Sequence, residues 1–199
     1  MNVRDHGEAI PATPHAPTLF MRARYRVGQF LRGFRAAVTP ADLASVGDLL
    51  TPAAAALFLR MPTDAQAHSL RVLHDLQAGG EVPPDLAAAA LLHDVGKVAA
   101  DDAGAYLGLW LRGPLVLLEA WRPQWLAAWA SPVPAPTLRY ALHVHLHHPQ
   151  IGAQWAAEAG CTPLTCRLIA HHQDKNLEAI QDTQLLHDLA RLQWADGRN

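Results

Sequence analysis

Histidines and aspartates recur along this chain in a spacing that suits metal chemistry. His68 comes first, then the adjacent pair His93-Asp94 followed by Gly96-Lys97, then His148-Pro149, then His171-His172, and finally Asp196. Imidazole nitrogen and carboxylate oxygen are the donors that zinc, iron and manganese accept. A His-Asp pair at a helix end can turn both side chains toward one ion, because a finishing helix need not keep its 100° spacing. An aspartate has two oxygens and can bridge two ions. Burying His171 and His172 together without partners would be costly, which adds weight to that pair. His68 alone would read as an ordinary core or surface histidine; the set is what points to a site. Twelve of the 199 residues are histidine. His145 and His147 crowd around His148, and His74, His143 and His187 have no patterned partner, so these read as structural or surface residues.

The elements that must carry these residues are helical. Thr39-Pro40-Ala41-Asp42 offers an N-cap, a proline at the first helical position and an acid at the third; Thr51-Pro52 and Thr162-Pro163 repeat the start. Gly79-Gly80 and Gly160 are stops. Between these marks apolar residues recur at three and four: Leu70, Leu73 and Leu76; Leu86, Ala89 and Ala90 up to His93; Leu138 and Leu142 up to His145 and His148; Leu164 and Leu168 up to His171 and His172; Leu185, Leu189 and Leu192 up to Asp196. Each metal-type residue is thereby expected near a helix end. No stretch alternates with the two-residue period of a strand. The expected fold is all-α.

Composition narrows the partners. Half the residues are hydrophobic and 17% are charged, with a formal net charge of −2, which suits a globule and offers no bulk charge to hold a nucleic-acid polymer. A small phosphorylated substrate needs only a local cation. Cys161 and Cys166 have neither metal-knuckle nor disulfide-framework spacing and read as reduced thiols. Residues 1–17 carry charges and prolines where an export signal would be apolar, so they are expected to form a disordered tail on a cytoplasmic protein. Residues 18–60 read as an N-terminal helical extension, and 61–199 as the domain that bears the site. The apolar stretch from Ala105 to Ala130 is interrupted by Arg112, Gly113-Pro114, Glu119 and Arg122-Pro123, so no membrane span is expected. It reads as a pair of buried helices or an insert that covers the substrate, with peripheral membrane contact through Trp110, Trp121, Trp125 and Trp129 as the lesser reading.

The motifs resemble a known superfamily. Leu91-Leu92-His93-Asp94-Val95-Gly96-Lys97 is similar to the HDIGK signature of HD-domain metal-dependent phosphohydrolases. His68-Ser69-Leu70-Arg71-Val72 resembles that superfamily's first histidine in its HSxRV-like context. His148-Pro149-Gln150-Ile151-Gly152 resembles the HPxxG segment of binuclear members, Ile169-Ala170-His171-His172 their later His-His pair, and Trp194-Ala195-Asp196 their final aspartate. The resemblance spans residues 60 to 199. It implies an HD-type helical bundle with two divalent ions, iron, manganese or zinc. His68, His93, Asp94 and Asp196 would hold the first, with Asp94 bridging, and His148, His171 and His172 the second. Asp64, one turn before His68, is a further acidic candidate and equally a helix-start acid. Lys97 would face a phosphate oxygen or the attacking water.

The implied activity is hydrolysis of a nucleotide or other small phosphoester by metal-activated water, with Asp94 and Lys97 at the chemistry. After His171-His172 the chain reads Gln173-Asp174-Lys175-Asn176, without the DGxGYP segment of the HD-GYP branch, so cyclic-di-GMP is not the expected substrate. Two other readings stay open. Some HD-fold proteins carry an oxygen-activating di-iron centre on four histidines and two aspartates, and others have lost their ligands and serve as signalling scaffolds.

Overall fold

In a computed structural model of the protein, residues 38–105, 123–177 and 180–199 are described. The elements are α1 (Pro40–Leu49), α2 (Pro52–Arg60), α3 (Thr63–Ala78), α4 (Pro84–Leu92), a 3-10 turn (Val95–Lys97), α5 (Val98–Asp102), α6 (Pro123–Trp129), α7 (Leu138–Glu158), α8 (Pro163–His171) and α9 (Thr183–Asp196). The fold is all-helical, with no strand among the described residues.

The Thr-Pro starts form as the sequence predicts. Thr39, Thr51 and Thr162 are the N-caps of α1, α2 and α8, each side chain accepting from the amide three residues on, with proline in the first turn. Asp42 closes a full capping box on Thr39. Gly80 and Gly160 adopt φ of +129° and +79° after α3 and α7, the left-handed region that lets the chain leave a helix without a Cβ penalty.

The centre of the molecule is α4. Its sequence from Leu86 to Leu92, Leu-Ala-Ala-Ala-Ala-Leu-Leu, is apolar on every side, and all seven residues are buried. A helix hydrophobic all round belongs inside, and α4 packs against α1, α2, α3, α8 and α9. Its alanines permit that close approach, and the larger side chains of its neighbours, including Phe58, Leu76, Leu168, Leu185 and Leu189, fill the space around it. The next two residues of the chain, His93 and Asp94, are therefore delivered into the interior. Residues Val46, Leu50, Ala54 and Phe58 of α1 and α2 belong to the same core as α4, so the part of the N-terminal extension that is described shares the core of residues 61–199.

Residues 1–17, and Trp110 and Trp121 of the Trp-rich stretch, lie outside the described residues. In the part of that stretch that is described, Leu126 of α6 is buried and packs with Leu142 of α7, while Trp125 and Trp129 are exposed. Among the described residues no helix is long and apolar enough to cross a membrane.

Candidate metal centre

Three helix C-termini converge on one place in the core. The end of α4 supplies His93 and Asp94, the end of α8 supplies His172, and the end of α9 supplies Asp196. Each such terminus carries partial negative charge and favours a cation. His68 enters from the second turn of α3 and His148 from the middle of α7. The expectation that every candidate sits near a helix end therefore fails for these two. His148 is followed by Pro149, which lies inside a 21-residue helix.

The atoms form two clusters joined by one carboxylate. In the first, His68 Nε2 lies 3.0 Å from Asp196 Oδ1 and 3.3 Å from His93 Nε2, while His93 Nε2 lies 3.5 Å from Asp196 Oδ1 and 3.7 Å from Asp94 Oδ2. In the second, His148 Nε2 and His172 Nε2 lie 3.4 and 3.8 Å from Asp94 Oδ1. An ion held by nitrogen and oxygen at about 2.1 Å sets its ligand atoms roughly 3 to 3.5 Å apart. Both clusters, His68-His93-Asp94 and Asp94-His148-His172, could hold a metal ion.

Hydrogen bonding fixes which ring nitrogen faces each cluster. The Nδ1 atoms of His93, His148 and His172 lie 3.0, 2.9 and 2.8 Å from the carbonyl oxygens of Ala90, His145 and Ile169, each three residues earlier. A carbonyl only accepts, so each Nδ1 donates its proton and Nε2 is left for the cluster. The Nε2 atoms of His148 and His172 are buried and make no hydrogen bond. A buried polar atom left unpaired costs about 1–3 kcal/mol, and here two stand side by side beside a carboxylate. A metal ion fits this donor set: the open nitrogens are ligand atoms, and their rings are already anchored from behind.

Electrostatics point the same way. Burial opposes charge on the His93 ring, but Asp94 and Asp196 outweigh it and raise its pKa to about 9. Burial also resists ionisation of Asp94, yet Lys97, His93 and the His148 ring hold its carboxyl well below the usual range. Asp196 is likewise held low against burial by His68 and His93. Burial, and then the neighbouring His93, push His172 down to about 3; burial lowers His148 as well. The pocket thus concentrates two ionised carboxylates among buried imidazoles, an environment that calls for positive charge. Lys97 Nζ lies 2.7 Å from Asp94 Oδ2 and answers part of that demand, while about half of its side chain stays exposed.

Two candidates lie elsewhere. His171 does not join His172: its Nδ1 lies 2.7 Å from Asp174 Oδ2 in a half-exposed pair on the surface. The two side chains leave the helix about 100° apart, and only that of His172 faces Asp94. Asp64 is exposed in the first turn of α3 and belongs to neither cluster, as a helix-start acid would. The sequence reading did not pair Asp174 with His171, although an acid three residues after a histidine was there to read. Asp188 also went unnoticed, fully buried on α9 and accepting from Gln184 Nε2 and His187 Nδ1; it falls on the apolar stripe of Leu185, Leu189 and Leu192, where a carboxylate is out of place. Cys161 and Cys166 are both free.

No protein-family model, no curated protein and no solved structure matches this chain.

Proposed function

We propose that the protein is a metal-dependent phosphohydrolase of the HD type, acting on a nucleotide or another small phosphoester. One observation carries the reading: the two oxygens of Asp94 face two different histidine clusters. His68, His93, Asp94 and Asp196 would hold one divalent ion, and Asp94, His148 and His172 a second. Such ions lower the pKa of a bound water toward about 7 and draw charge from a phosphoryl oxygen.

The chain's own residues do the rest. The core around α4 keeps His93 and Asp94 away from bulk water, which strengthens every charge interaction there. The carbonyls behind His93, His148 and His172 hold those rings in place. Lys97 reaches Asp94 with a side chain that is about half exposed, so its ammonium suits a substrate phosphate oxygen and the charge that gathers there during transfer. The HDxGK, HSxRV, HPxxG and final-aspartate resemblances all fall on residues of this one centre.

The test is a screen of phosphomonoesters, phosphodiesters and nucleotides with Mn2+, Fe2+ or Zn2+, run beside Lys97→Met. Turnover that falls about 10²-fold or more in the variant, with metal content unchanged, supports the reading; no hydrolysis product from any ester class, whether phosphate, monoester or nucleoside, sinks it.

A second reading has one observation in its favour. With His171 turned away, the residues left at the centre are four histidines and two aspartates: His68, His93, His148, His172, Asp94 and Asp196. That is the framework of the oxygen-activating di-iron centres found on some HD-fold proteins. Visible absorption from bound iron, with oxygen uptake in the presence of an organic substrate, would favour it over hydrolysis.

A further inference from the structure

Pro149 lies in the interior of α7, where a proline is ordinarily a defect. It has no N–H, so the carbonyl four residues back loses its helical donor. That carbonyl belongs to His145, and it is the one on which His148 Nδ1 sits at 2.9 Å. The other two buried imidazoles show the same relation. His93 rests on the Ala90 carbonyl and His172 on that of Ile169. In a continuing helix those carbonyls would take the amides of Asp94 and Gln173. Both residues lie past the ends of α4 and α8. In every case the ring at position i uses the carbonyl at i−3, and the amide at i+1 that would compete for it has been removed. Helix termination removes it twice. For His148 the helix runs on to Glu158, and only the proline removes it.

We propose that Pro149 is a positioning residue for the second cluster: by withholding one amide in mid-helix it reserves the His145 carbonyl for His148, which leaves His148 Nε2 as the lone pair turned to Asp94 Oδ1. This explains why a proline comes directly after the histidine, since any other spacing would free a different carbonyl. It also explains how the ring of His148 can be anchored as those of His93 and His172 are, although its helix continues to Glu158. The metal arm of the test rests on the metal-centre reading above; the ring arm does not, because the tautomer belongs to the metal-free protein.

The experiment compares the full-length wild type with Pro149→Ala and Pro149→Gly. Both variants restore the amide, while alanine favours a helix and glycine weakens it, so a shared effect reports the amide. Nitrogen NMR of the His148 ring in metal-free protein is the first readout, and Zn2+ titration against a competing chelator is the second. The expected result is a single Nδ1–H tautomer in wild type and a mixture in both variants. One zinc equivalent should then bind about 10- to 100-fold more weakly, with the other unchanged and no drop in the melting temperature of Pro149→Ala. Retention of the Nδ1–H tautomer and of both affinities in the two variants would overturn the proposal, as would weakening confined to Pro149→Gly. If the wild type binds no zinc, the metal-centre reading fails, and the tautomer alone decides the role of Pro149.

Discussion

The backbone of Gly96 lies against that of Gly152 with no room for a side chain between them. A Cβ on Gly96 would stand 2.1 Å from the His148 carbonyl oxygen and 2.7 Å from the Gly152 nitrogen, and one on Gly152 would stand 3.1 Å from the Gly96 nitrogen. The 3-10 turn after His93-Asp94 is thereby seated directly on the turn of α7 that carries His148. Gly96→Ala forces backbone apart, at the upper end of the roughly 1–3 kcal/mol typical of overpacking, so its melting temperature should fall by about 6–12 °C. Gly152→Ala meets only contacts of 3.1–3.4 Å and should cost less. Gly47, in α1 with nothing within 4 Å of its Cβ position, should gain about 0.5–1 kcal/mol on conversion to alanine. Thermal melts of the three variants check the order Gly96 below Gly152 below Gly47.

His171 and His172 are separated by the next prediction. Motif resemblance gives both to a second metal, whereas His171 is engaged with Asp174 on the surface and His172 faces Asp94. His171→Ala should keep the wild-type metal content, and His172→Ala should lose one equivalent. Elemental analysis of the two purified variants decides it; equal losses would mean that His171 turns inward to bind.

Acid stability should show the signature of two capping aspartates. Asp182 is held below the ordinary carboxylate range by the Leu185 amide and then by Arg167, and Asp42 by the Thr39 amide and hydroxyl. Because both folded pKa values are depressed, their stabilisation is complete above pH about 4 and is lost as pH falls through the folded values. Asp182→Asn keeps a side-chain oxygen for the cap but drops the charge that pairs with Arg167. Its melting temperature should lie below that of wild type at pH 7, and the gap should narrow and close as pH falls below the ordinary carboxylate range through the lowered pKa of Asp182.

Much of this was legible in the residues, and the reasons are local. Thr-Pro starts, glycine stops and the three-four spacing of leucines act within one helix, so they name α1, α2, α3, α8 and α9 correctly. The apolar run Leu86–Leu92 also announces a buried helix, and His93-Asp94 must then be interior. Sequence misleads at positions where the deciding contact is made across the chain. His171 and His172 are equivalent in sequence, and only the direction of each side chain off the end of α8 tells them apart. The closeness of Gly96 to Gly152 depends on two elements 56 positions apart in the chain, and no local pattern encodes it.

Asp94 joins the two clusters, so the metal-centre claim stands or falls with it. Its removal leaves His148 Nε2 and His172 Nε2 without the oxygen they face and strips the first cluster of one of its two carboxylates. The measurement to make is the metal content of wild type and Asp94→Ala, both purified without chelator, with circular dichroism to verify that the variant is folded. One or two equivalents of iron, manganese or zinc in wild type, lost from a folded Asp94→Ala, is the predicted result. A wild type that carries no metal, even after reconstitution with each ion, would contradict it.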